Sequence, residues 1–81
     1  MLRRVTPDDA RAWLARSRQP RLVRSRVDEF ARRMRDGDWD PDRHYRQPIS
    51  VSPNRLSNGN HRLHAVVKYG EPALMWVRGD P

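Results

Sequence analysis

Apolar residues recur at helical spacing over two stretches in the first half of the chain. Ala10, Trp13 and Leu14 form the first, after Thr6-Pro7-Asp8-Asp9. Thr6 can cap this helix, Pro7 suits its first position, and two carboxylates complement the positive end of the dipole. The helix is expected to end near Ser17, before Gln19-Pro20. Val23, Val27, Phe30, Ala31 and Met34 follow i, i+4, i+7, i+8 and i+11, one face of a longer helix. Pro20 opens it, and it is expected to run from Leu22 or Arg24 to Asp36. Gly37 is the expected terminator, and Trp39 is expected to fold back on the apolar face.

Asp40 to Gln47 shows no period and reads as a loop. Pro48-Ile49-Ser50-Val51-Ser52 alternates like a short strand, and Pro48 at its start suggests an edge position. Pro53-Asn54-Arg55 turns the chain, and Leu56-Ser57 leads into the turn dipeptide Asn58-Gly59. Asn60 is expected to cap a further helix with the stripe Leu63, Val66 and Val67, which Gly70 closes. After Glu71-Pro72, the run Ala73 to Arg78 reads as a last strand buried on at least one face. The predicted fold class is α+β, a small mixed sheet with three helices. Residues 1–81 form one domain, with a helical basic part at 1–37 and a strand-turn-helix-strand part at 48–81.

At 81 residues the core must be thin. With no cysteine there are no disulfides, no thiolate catalysis and no cysteine metal sites. Stability must therefore come from packing, from a ligand or from self-association, and a homodimer is one expectation. The net charge is +7, and 16 of the 17 basic residues are Arg, with Lys68 the one Lys. Arg is a planar fork suited to phosphate, so the charge favours a polyanionic partner, nucleotide or nucleic acid. A GC-rich genome would account for Arg over Lys, but not for the net charge. No apolar run approaches membrane-spanning length, and MLRRV lacks a signal-peptide core, so no membrane association and a cytoplasmic location are expected.

Within this frame Asn58-Gly59-Asn60-His61-Arg62 is the candidate site. Gly59 permits a positive φ and close approach to the backbone. The first amides of the following helix lack intrahelical partners and point outward with the positive end of the dipole. His61 and Arg62 add donors in the same turn. A cation at a helix N-terminus is locally unfavourable, which suggests that an anion joins it. The plainer alternative is ordinary turn chemistry, with His61 hydrogen-bonded to a neighbouring carbonyl.

The segment from the second helix through Gly37-Asp38-Trp39, Pro48-Ile49, the GNHRL turn, its helix and the last strand resembles the ParB/sulfiredoxin superfamily. In that superfamily a strand, a glycine turn and a helix with a G-x-[HR]-R type motif hold nucleotide phosphates. The nearest likeness is to ParB-like phage and bacterial proteins with Asp-Gly-Gln-His-Arg-Leu, which stands here as Asn58-Gly59-Asn60-His61-Arg62-Leu63 before Ala65-Val66-Val67. The resemblance implies a phosphate cradle at Asn58, Gly59, Asn60, His61 and Arg62, with ATP or CTP and magnesium as candidate ligands. Asn60 stands where sulfiredoxin has its catalytic cysteine, so sulfinic-acid reduction is excluded. The acidic residues of the related motifs are absent, which argues against hydrolysis. As it stands the chain reads as a minimal core, without the helix-turn-helix reader, second nucleotide motif or dimerisation domain of partition proteins.

Other residues weigh less. Asp28–Arg32 and Glu29–Arg33 are expected i, i+4 pairs. They leave Arg16, Arg18, Arg21, Arg24, Arg26 and Arg35 unmatched, as a nucleic-acid patch or a solvated basic face. Contacts to a duplex would be mainly to phosphate and sensitive to salt. His61 and His64 share a helix face, but no metal site is expected without cysteine or a nearby carboxylate. The alternating Asp36, Asp38, Asp40 and Asp42 lack the glycine spacing and closing Glu of a calcium loop. Trp13, Trp39 and Trp76 read as packing residues, with Trp39 or Tyr45 able to stack on a base. The expected function is a nucleotide-phosphate- or DNA-associated accessory or regulatory protein of phage or mobile-element type. The alternatives are a protein-interaction module, such as a phage factor binding an acidic host protein, and a weak nucleotide hydrolase or nuclease.

Overall fold

In the computed structural model, which describes residues 1–18 and 21–81, the elements run β1 (Leu2–Val5), α1 (Pro7–Leu14), α2 (Arg24–Arg35), α3 (Pro41–His44), β2 (Ile49–Ser52), β3 (Arg55–Asn58), α4 (Asn60–Tyr69) and β4 (Ala73–Gly79). The domain is α+β, as the patterning predicts, with four helices among the described residues rather than three. The expected opening of the second helix by Pro20 lies outside the described residues. Thr6 caps α1 as expected: its Oγ1 accepts the Asp9 N–H at 3.0 Å, and Asp9 Oδ2 accepts the Thr6 N–H at 3.2 Å. This reciprocal box satisfies two donors at once.

Two elements were not predicted. β1 is too short and too charged (LRRV) to show alternation, and it is a strand because β4 pairs with it. The one-turn α3 lies in the predicted loop, with Asp40 Oδ1 accepting the Asp42 N–H at 3.0 Å and Pro41 at its first position. Asp40 and Asp42 thus serve in a cap and, through Asp42 Oδ1, as acceptor of the Trp76 indole N–H at 2.8 Å. Of the two expected helix pairs, Glu29–Arg33 forms at 3.3 Å. Asp28 instead meets Lys68 on α4.

The sheet order is β1-β4-β2-β3, with β2 parallel to β4 and the other neighbours antiparallel. Pro48 therefore does not mark an edge. It sits just before β2, which is an inner strand, where its missing N–H costs no ladder bond. β2 and β3 form a hairpin, α4 continues from β3, and β4 returns parallel to β2.

Strand alternation places Val5, Ile49, Val51, Leu56, Ala73, Met75 and Val77 on one face, in a single core with residues of α1, α2 and α4. α4 lies between α1 and α2 in the helical layer. Phe30 meets Trp39 edge-on at 5.4 Å, so Trp39 does fold back on α2. The Trp39 indole N–H also donates to the Leu74 carbonyl at 2.8 Å. β2 pairs only with Val77–Gly79, and the indole takes the place of a strand partner further back along β4.

Candidate functional site

The junction of β3 and α4 is built around a glycine. Gly59 has φ +115°, and a Cβ there would lie 2.8 Å from Ile49 Cγ1 in the core. Gly59 itself is the N-cap of α4, and Asn60, the expected cap, is the first helical residue. The first intrahelical bond runs from the Leu63 N–H to the Gly59 carbonyl at 3.0 Å, so the Asn60, His61 and Arg62 amides precede it. Asn60 is buried, and its Oδ1 accepts the Ser17 hydroxyl at 2.5 Å. The side-chain amide of Asn58 donates to the Pro48 carbonyl at 3.1 Å.

These residues line a pocket of about 150 Å³ together with Arg26, Phe30 and Tyr45. Sequence reasoning assigned Arg26 to the patch and weighed Tyr45 only for base stacking. That α2 and the segment after α3 meet over α4 has no local signal. Arg62, expected to add a donor in the first turn, is 2% exposed. Its Nη1 donates to the Gln47 carbonyl at 2.5 Å, and its guanidinium lies 4.2 Å from the Tyr45 ring centre. Nη2 is buried and has no hydrogen-bond partner among the described residues. Among the described residues no carboxylate forms an ion pair with Arg62. A second cation stands close by, with the Arg26 guanidinium 5.6 Å from the same ring. The Arg62 pKa is lowered to about 10, first by burial, with Tyr45 opposing the shift and Arg26 adding to it. Arg62 therefore remains charged at neutral pH.

His61 is an anchor more than a donor. Its Nε2 accepts the Val23 N–H at 3.0 Å, at the N-cap of α2. That bond requires a free lone pair on Nε2 and so leaves the proton of the neutral ring on Nδ1. Burial, then Arg26, then His64 lower its pKa from the ordinary 6.5. A histidine held below its unfolded value contributes stability that is complete above about pH 6.5 and is lost as pH falls through the folded value. Urea midpoints of the wild type are expected to drop between about pH 7.5 and about pH 5. In His61→Gln, whose side-chain carbonyl can accept the same N–H without titrating, that component should disappear. An unchanged pH profile in the variant would remove His61 from this role.

Of the six candidate patch arginines, Arg24, Arg26 and Arg35 belong to α2, and Arg16, Arg18 and Arg21 precede it. Arg26 faces the pocket, while Arg24 and Arg35 lie on another side of α2 and are exposed. Arg35 lies 3.9 Å from Asp36. Arg16 donates to the Ser52 carbonyl at 2.9 Å beside the hairpin, and Arg18 and Arg21 are exposed. Among the described residues no three His, Asp or Glu side chains cluster as metal ligands, and no helix is long and apolar enough to cross a membrane. Comparison with protein-family models, curated proteins and solved structures gave no match.

Proposed function

We propose that the start of α4 is an anion site that takes a phosphate group of a nucleotide or nucleic acid, in an accessory or regulatory protein with a ParB/sulfiredoxin-like core. The observation that carries this reading is Arg62, a buried guanidinium with an unsatisfied Nη2 and no carboxylate partner, beside a second arginine and the amides that open a helix. A buried cation without a counter-charge is costly, and a phosphate would supply both the charge and the missing acceptor. The glycine turn leading into a helix and the motif Asn58-Gly59-Asn60-His61-Arg62 support the same reading.

The pocket holds about 150 Å³, below the roughly 300 Å³ at which sites for drug-sized ligands begin. It suits a phosphoryl group, with the nucleoside outside, along α2. ATP and CTP, each with magnesium brought by the nucleotide, are the ligands to try first. No carboxylate lines the pocket to hold a metal or orient water, so binding is favoured over hydrolysis.

The test is thermal unfolding with millimolar phosphate, ATP, CTP and GTP, with and without magnesium, against chloride at matched ionic strength. A ligand that prefers the folded state must raise the midpoint as its concentration rises. No rise beyond chloride for any of these would overturn the anion site. Electrophoretic shift of duplex DNA in increasing salt separates a nucleic-acid ligand from a free nucleotide, because phosphate contacts release counterions and weaken steeply with salt.

A further inference from the structure

The two edges of the sheet are treated differently. The β3 edge is covered after α1, where the Leu56 N–H donates to the Arg16 carbonyl at 3.3 Å and Ser17 forms a bridge to Leu56. The β1 edge lies at the other end of the sheet from the proposed anion site, and among the described residues it has no such cover. Met1 and Val77 exchange both backbone bonds, at 3.1 and 2.8 Å. Antiparallel alternation then turns the N–H and C=O groups of Leu2 and Arg4 away from β4, as two donors and two acceptors without a strand partner among the described residues.

The side chains at this edge are two arginines and two aliphatic residues. Leu2 lies beside Trp76 and Arg4 beside Leu74 on the face opposite α1, α2 and α4. Leu2 is 43% and Leu74 47% exposed. Arg3, on the core side, is engaged by Asp9 at 3.7 Å and by the Trp13 ring at 5.1 Å. Arg4 is exposed and has no ion pair among the described residues. A second copy pairing antiparallel through the outward groups would set Leu2 against Arg4 and Arg3 against Arg3, a like-charge contact.

We infer that β1 receives an extended segment of a partner protein by strand addition. That segment carries a carboxylate opposite Arg4 and, two residues away on the same face, an apolar side chain opposite Leu2. Backbone bonds supply the attachment, and the alternation of acid and apolar side chain supplies the selection.

The experiment titrates the isotope-labelled protein with an acetylated peptide of three Val-Thr-Glu-Thr repeats, followed by amide NMR. Shifts centred on Leu2 to Val5, with slowed exchange of the Leu2 and Arg4 amides, are the expected result. Arg4→Glu should weaken binding about fivefold, and a Val-Thr-Lys-Thr peptide should prefer that variant. Because Arg4 is exposed, the amide spectrum of the variant should otherwise match the wild type. Shifts at the Gly59 pocket instead of β1, equal binding of the Glu and Lys peptides, or protection of β1 that rises with protein concentration alone would each overturn the inference.

Discussion

Arg62→Met is expected to abolish any phosphate-induced rise in the unfolding midpoint, while the ligand-free domain stays within about 1 kcal/mol of its original stability. Two opposing effects produce the second half of this expectation. The variant loses the bond from Nη1 to the Gln47 carbonyl and the contact with Tyr45. It also removes a buried charge that has no carboxylate partner and one unsatisfied nitrogen. Methionine fills an elongated space of similar shape without needing hydrogen bonds. If Arg62 were only a structural peg for the chain before β2, its loss would cost about 3 kcal/mol or more, with any anion response unchanged. Thermal scans of both proteins with and without phosphate distinguish these outcomes. Arg62→Lys should retain part of the response, because an ammonium keeps the charge but not the fork.

The largest loss of stability is expected from Gly59→Ala, about 2–4 kcal/mol by urea unfolding. Two costs coincide at this position. The backbone sits at φ +115°, where an L side chain is strained, and the added carbon would come within 2.8 Å of Ile49 Cγ1 and 3.0 Å of its Cγ2. Ile49 is fully buried, so it has little room to yield. An 81-residue domain has only about 4–12 kcal/mol in total, so a substantial part of its stability is at stake. A loss below about 0.5 kcal/mol would mean that the β3–α4 junction relaxes freely, and the amide arrangement at the start of α4 would then not be fixed by the fold. Gly37 offers a contrast, since nothing lies within 4 Å of a Cβ there. Its substitution costs backbone strain alone.

What the sequence determined by itself is local in origin. Thr6 and Pro7 start α1, the i, i+4, i+7 stripe of α2 chooses its buried face, and Gly59 and Gly70 bracket α4 because short-range sterics and capping decide them. The alternation of Ile49, Val51, Met75 and Val77 gives two strands, since side-chain period follows directly from backbone geometry. Residues 58–62 could be marked as a candidate site for the same reason: a glycine followed by unbonded helix amides and cations is a local pattern. Only the tertiary structure decided the rest. β1 exists because β4 offers a ladder to four residues with little preference of their own, and β2 is internal because β4 returns beside it rather than beyond β3. Arg62 is buried, and Arg26 and Tyr45 are its neighbours, because α2 and the segment after α3 close over the start of α4. Contacts between residues so far apart in the chain follow from how layers pack, and no periodicity in the sequence encodes them.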